Sequence, residues 1–258
     1  MHDDLADFTR ETFSHDGLSR SVYRLGSGRG VVLMHEIPGI TPEAAELARR
    51  LAEAGYSVLM PSLFGTPGKP FGKRYVAAEM ARVCIAGEFA TLASNRSGPI
   101  VDWLRALCRA AHAELGGPGV GVIGMCFTGN FALALMADPS VMAPIASQPS
   151  LPFLRPAELH VSADELVQIR DRARREGVPL LGLRFTGDVI CPAARFQRLR
   201  SELGDRFEGI EIDSSPGNKH GIRRLAHSVL TLDFVDREGH PTRVAMDRVL
   251  GFLKERLS

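Results

Sequence analysis

"VGVIGMCFTGNFALALM", residues Val120 to Met136, places a cysteine where an apolar run stops reading as a strand and starts reading as a helix. Gly119 to Gly124 has the short apolar character of a buried strand, and Phe127 to Ala137 reads as the helix that follows. A nucleophile carried on such a turn needs small residues two before and two after it, because backbone crowds backbone there. Gly124 stands two before Cys126, but Thr128 and then Gly129 follow it, so the second glycine falls one place late. The helix would aim its positive end at the thiol, which favours thiolate, and would offer the backbone N–H of Phe127 to an oxyanion. An isolated cysteine is more often a small buried hydrophobe. The nucleophile reading therefore depends on an acid and a histidine further along the chain, in that order.

On both sides of this stretch the chain alternates short apolar runs with amphipathic segments, the pattern of helices covering both faces of a mostly parallel sheet. Upstream, Gly30 to His35 and Tyr56 to Pro61 read as strands, and between them Thr41 caps a helix that starts at Pro42 and stops before Gly55. Ser62 to Tyr75 is broken by glycine and proline and reads as a surface loop, a candidate lid bordering a site. Helices are expected from about Tyr75 to Ala93 and from Pro99 to Leu115. Downstream, Val141 to Ser147, Val178 to Gly187 and Phe207 to Asp213 continue the strands. Ser162 and Glu165 form a capping box for a helix ending near Gly177, and a last helix runs from about Thr242 to Leu257. "GSGRG" (Gly26 to Gly30) precedes the first clear strand instead of following one, so it reads as a turn and not as a dinucleotide fingerprint. With no repeat, low-complexity tract or linker, the expectation is a single α/β domain over residues 1–258.

Lysine plus arginine (31) nearly cancels aspartate plus glutamate (30), so no overall basic field points to nucleic acid or an anionic membrane, and small molecules are the expected partners. The polar, acidic start "MHDDLADFTRETF" lacks a basic segment followed by an apolar one, and no run approaches the length of a membrane span, so a cytoplasmic location is expected. The cysteines Cys84, Cys108, Cys126 and Cys191 are scattered without C-x-x-C or zinc-finger spacing, which argues against a disulfide framework or a metal. No G-x-S-x-G is present to offer a serine instead.

The acid candidate is Asp188, directly after the apolar run "LLGLRF" and before Pro192, where a loop at the carboxyl edge of the sheet would hold it; a turn aspartate is an equally good reading in isolation. The histidine candidate is His220 in "SSPGNKHGIRR", in the first loop after the strand "FEGIEID". His227 and His240 also follow that strand, but further on.

"HEIPGI", "GMCFTG", "GDVICP" and "KHGI", in this order and at these intervals, resemble the dienelactone hydrolase family, α/β-hydrolases with a Cys-His-Asp triad. The resemblance spans about Val31 to the end and is weaker over Ser62 to Gly117 and Gln148 to Pro179. It implies an α/β-hydrolase fold, with Cys126 as nucleophile, His220 as base and later acid, and Asp188 as the orienter of the imidazole. It assigns the backbone N–H groups of Ile37 and Phe127 to an oxyanion hole and a buried Glu36 to contact with the resting thiol, where a carboxylate of raised proton affinity could accept the thiol proton. It also implies arginines for a substrate carboxylate, with Arg224 and Arg82 as counterparts and Phe89 as an aromatic pocket residue.

The implied activity is hydrolysis of a small lactone or activated ester through a thioester, of the carboxymethylenebutenolidase type, without cofactor or metal. The substrate would be carboxylated if both arginines serve. The alternative is a hydrolase-fold protein without turnover that binds a ligand or senses oxidants through Cys126. Whether the chain is a monomer or a homodimer is not legible.

Overall fold

The computed structural model describes residues 1–85, 98–150 and 157–258, the side chains of 83–85 excepted. Its strands are β1 (Thr9–His15), β2 (Leu18–Leu25), β3 (Arg29–Met34), β4 (Tyr56–Pro61), β5 (Val120–Met125), β6 (Val141–Ser147), β7 (Leu180–Phe185) and β8 (Phe207–Ile212). Among the described residues they form one eight-stranded sheet in the order β1-β2-β4-β3-β5-β6-β7-β8. The pairs β1·β2 and β2·β4 are antiparallel, and the remaining pairs are parallel.

The described helices are α1 (Pro42–Glu53), α2 (Lys73–Ile85), α3 (Pro99–Leu115), α4 (Gly129–Leu135), α5 (Ala163–Asp171), α6 (Ala193–Leu203) and α7 (Pro241–Leu257). They cover both faces of the sheet. Leu47, Leu51, Met246, Val249 and Phe252 of α1 and α7 pack into one apolar core, and Ile100, Trp103, Phe131, Ile169 and Phe196 of α3 to α6 pack into the other. The central strands face a core on each side, which is why β4, β5 and β7 are buried at every position and read as largely apolar runs, broken only by Ser57 and Arg184. This is the α/β-hydrolase architecture that the sequence predicts.

Local signals act where expected. The Thr41 hydroxyl accepts the Ala44 N–H at the start of α1, and Ser162 and Glu165 exchange bonds of 3.1 and 2.9 Å at the start of α5. A wider turn, Arg172–Glu176, extends α5 to Gly177, whose φ of +68° ends it. The helix expected from Tyr75 to Ala93 is α2 as far as Ile85, and its remainder, with Phe89, lies outside the described residues.

The β1–β2 hairpin was not expected. Its first strand is mostly exposed, its second partly buried, and both are largely polar, so they carry no apolar run, but the turn between them, Asp16-Gly17 with φ of +46° and +78°, is the dipeptide that favours tight hairpins. "GSGRG" therefore follows two strands: Gly26 to Gly28 link β2 to β3, and Arg29 and Gly30 begin β3. Among the described residues, no helix is long and apolar enough to cross a membrane.

Candidate active site

Cys126 sits between the end of β5 and a single helical turn, Cys126–Thr128, that runs on into α4. Its φ of +56° is left-handed, a conformation that costs a side-chain-bearing residue about 1 kcal/mol or more and persists only where the surroundings hold it. Those surroundings are close. A Cβ on Gly124 would stand 2.2 Å from the Thr128 carbonyl oxygen, so a side chain there is excluded. At the place where a second glycine is expected, the Thr128 hydroxyl accepts the Met125 N–H at 2.9 Å and lies 3.0 and 3.2 Å from the carbonyls of Met34 and His35, tying the turn to the end of β3. The late glycine has its own reason: a Cβ on Gly129 would meet the Pro149 Cα at 2.8 Å. Gly129 lets the segment after β6 lie against α4.

Asp188 lies in the loop after β7 and is buried. Its Oδ1 accepts the N–H groups of Ile190 and Cys191 at 2.9 and 3.2 Å, which leaves Oδ2 for an imidazole. That imidazole is His227, not His220: His227 Nδ1 stands 2.6 Å from Asp188 Oδ2. The approach depends on Gly187, where a Cβ would be 2.3 Å from the Arg224 carbonyl oxygen.

The opposite nitrogen of His227, Nε2, is buried without an oriented hydrogen bond to a described residue, and Cys126 is among the groups whose charge acts on this ring. Burial opposes a charge on this ring. The negative charge of a Cys126 thiolate and the Asp188 carboxylate outweigh it and raise the His227 pKa well above the ordinary imidazole value.

The loop after β8 explains the correction. Asn218 accepts the N–H groups of His220 and Ile222 and donates to the Ser215 and Ile222 carbonyls, winding this stretch into a tight turn. The His220 ring ends against His240, with centroids 5.5 Å apart, and makes no hydrogen bond to Asp188. Further on, the Asp233 carboxylate accepts the backbone N–H groups of His227 and Ser228 at 2.9 and 3.1 Å and pairs with Arg223. His227 thus reaches the site because the loop folds back. The local signal was its flank: His227 is followed by the buried Ser228, Val229 and Leu230, whereas the residues around His220 are polar or exposed.

Glu36 is 4% exposed, and its carboxylate accepts the hydroxyls of Ser228 (2.7 Å) and Thr231, both on the histidine loop. The expected contact with the Cys126 thiol is not made by hydrogen bond; Glu36 holds the histidine segment instead. Burial raises its pKa, against the nearby His227 and the two hydroxyls.

Its neighbour His35 is fully buried. Nε2 accepts the Leu63 N–H at 3.1 Å, so Nδ1 carries the proton and donates to the Glu36 carbonyl at 3.1 Å, and burial lowers this imidazole's pKa to about 4. Ile37 is buried at the same strand end. Phe64, from the loop after β4, stands edge-on to His35 at 4.6 Å and 6.4 Å from Phe127, the residue after Cys126.

Arg82 is exposed and paired with the buried Glu79 at 2.6 Å. Arg224 is exposed and forms no ion pair among the described residues. Of the cysteines whose side chains are described, Cys108 and Cys191 are buried, which pushes their thiols up, and Cys126 is half-buried.

The sequence profile of the dienelactone hydrolase family matches residues 21–256. Similar solved structures include a dienelactone hydrolase-like promiscuous phosphotriesterase from metagenomic libraries, 18% identical with a TM-score of 0.64 over 97% of this chain and 98% of that one. A Pyrococcus furiosus esterase is 17% identical with a TM-score of 0.62 over 99% and 93%. A dienelactone hydrolase from Anabaena variabilis is 14% identical with a TM-score of 0.61 over 98% and 100%. At these identities the likeness establishes the fold. No curated protein matches the chain.

Proposed function

The chain belongs to the dienelactone hydrolase family, and from that premise we propose that it hydrolyses a small lactone or activated ester through Cys126, His227 and Asp188, without a cofactor. The observation that carries this reading is the His227–Asp188 pair at 2.6 Å, with the strained Cys126 close enough to act on the same ring.

In this reading His227 holds the proton that Cys126 gives up. The thiolate attacks the carbonyl carbon, and the carbonyl electrons move onto oxygen, where the backbone N–H groups of Ile37 and Phe127 receive them. Collapse of this intermediate breaks the C–O bond, and the imidazolium protonates the departing alkoxide or enolate. His227 then takes a proton from water, whose oxygen attacks the thioester; the acid leaves and the thiolate–imidazolium pair returns. Asp188 keeps the Nδ1 proton facing it. Glu36 supports the reading in a different role from the expected one, since it anchors the loop that carries the imidazole.

A thiolate is itself a good leaving group, so substrates that expel an enolate or phenolate are favoured over simple alkyl esters. Phe64, within the Ser62 to Tyr75 loop, lies 6.4 Å from Phe127 and is the candidate wall for the substrate. Arg224 is a better candidate for a substrate carboxylate than Arg82, which Glu79 already occupies.

The test is hydrolysis of a dienelactone and of p-nitrophenyl acetate by wild type and Cys126→Ser, with mass spectrometry of the intact protein. An acyl adduct on Cys126, with turnover reduced at least about 10³-fold in the variant, is expected. Unchanged turnover in Cys126→Ser would place the nucleophile elsewhere.

A further inference from the structure

Arg195, in the first turn of α6, is 1% exposed, yet it forms no ion pair among the described residues. Burial lowers its pKa, so its charge is held there at a cost. Its oriented partner is a neutral side chain: Nη1 donates to Asn130 Oδ1 at 2.9 Å. Arginine has only donors, so the atom of Asn130 that faces it must be the oxygen, and this turns the amide NH₂ the other way. There Nδ2 donates to two backbone carbonyls, Phe127 at 3.0 Å and Ser150 at 2.7 Å. Ser150 in turn donates its own backbone N–H to the carbonyl of Cys126 at 3.0 Å.

The last bond acts on the peptide between Cys126 and Phe127. That peptide is not among the cis bonds of the chain, and in a trans peptide the carbonyl and the N–H point in opposite directions. The Cys126 carbonyl also accepts the Gly129 N–H of the turn, and these two donors together set the direction of the Phe127 N–H. With Cys126 at a positive φ, this orientation is not the relaxed one and needs a restraint.

We propose that Arg195 and Asn130 are positioning residues which, through Ser150, aim the Phe127 N–H at the place where negative charge develops on the substrate oxygen. The latch rests on the reading of Cys126 as nucleophile, but it makes a separate claim: it serves the oxyanion and leaves the thiolate–imidazolium pair alone.

Two reactions of one thiol separate these effects. Acylation of Cys126 by p-nitrophenyl acetate passes through an oxyanion; alkylation by iodoacetamide does not. Both rates are measured against pH for wild type, Asn130→Ala, Asn130→Asp, Arg195→Met and Arg195→Lys, with the thermal midpoint of each. Asn130→Asp keeps the shape of the side chain but cannot donate to the two carbonyls when ionised, so it serves if Asn130→Ala fails to fold.

Acylation is expected to fall about 10- to 100-fold in Asn130→Ala, Asn130→Asp and Arg195→Met, less than the loss of a whole oxyanion donor, while alkylation and its pH profile stay within about 3-fold. Arg195→Lys, which keeps a charged donor, recovers most of the acylation rate. Unchanged acylation in folded variants overturns the latch. So does a parallel loss of both reactions that follows the fraction folded. A wild type that is alkylated but never acylated overturns the hydrolase reading, and the latch with it.

Discussion

The turn that carries Cys126 and the loop that carries His227 meet at one site but are built by opposite means. The turn is compact: Gly124, Cys126, Thr128 and Gly129 fall within six residues, where backbone crowding restricts the residue types and the Thr128 hydroxyl ties the turn to the end of β3. The loop runs from the end of β8 to α7 without a helix or strand; the local bonds of Asn218 and Asp233 wind it, and a residue distant in sequence anchors it, with Glu36 bonded to Ser228 and Thr231 across separations of 192 and 195 residues. Short-range steric rules leave a pattern of residue types that can be read; long-range hydrogen bonds leave none. The same contrast separates the two buried imidazoles. His35 is held neutral by burial, whereas flanking negative charge favours the protonated form of His227.

The comparison breaks first at the histidines. His227→Ala is expected to lower kcat/KM for p-nitrophenyl acetate by about 10³-fold, and His220→Ala by less than about 3-fold. The reverse ranking would return the base to His220 and sink the reading of the loop.

The next test concerns rigidity. Gly124→Ala drives a Cβ to 2.2 Å from a backbone oxygen and should cost about 4 kcal/mol in urea denaturation, whereas Gly221→Ala, where nothing lies within 4 Å but φ is +67°, should cost about 1 kcal/mol. Equal costs would mean that the loop is packed as tightly as the turn.

Acid stability tests the imidazoles. The folded-state pKa of His35 is depressed, so the unfolded chain binds the proton first. Its contribution is complete above pH about 6.5 and is lost as pH falls toward about 4, a loss of about 3 kcal/mol. His35→Gln, whose amide oxygen can accept the Leu63 N–H, should flatten that slope. His227 has the opposite sign: its folded pKa is raised, so its contribution is present below pH about 6.5 and is lost as pH rises through the folded value. An unchanged acid slope in His35→Gln would show that other groups carry it.

The smallest expected effect is at Asp233. Asp233→Ala removes the acceptor of two backbone N–H groups and should cost about 1–2 kcal/mol and roughly tenfold in kcat, with alkylation of Cys126 also slowed because the imidazole is misplaced. A loss of stability without a loss of rate would make Asp233 a brace for the loop alone.

Much of this molecule was legible in its sequence. The parallel strands, the caps at Thr41 and Ser162, the strand-to-helix turn at Cys126 and the loop position of Asp188 each rest on contacts within a few residues or on burial from both sides. The β1–β2 hairpin was missed because its largely polar strands give no apolar run, although Asp16-Gly17 marked its turn. The histidine was misplaced because counting residues from the last strand assumes an extended path, and the Asn218 turn removes that assumption. Glu36 was recognised as buried, but its partners lie on a loop whose return could not be foreseen.

The attachment of the histidine loop also bears on how its length can vary. Asp233 reaches back six and five residues to the N–H groups of His227 and Ser228, and Glu36 spans Ser228 to Thr231, so the interval from 227 to 233 is measured by its own bonds. The exposed turn at Pro216-Gly217 has no such ruler, and a Cβ on Gly217 would meet nothing within 4 Å. Residues added at that turn would enlarge a surface bulge and leave the imidazole in place, whereas a single residue added after Val229 would change the interval that Asp233 and Glu36 bridge and draw the ring off Asp188. The geometry therefore tolerates a change in the distance from the last strand to His227, but not in the spacing from His227 to Asp233.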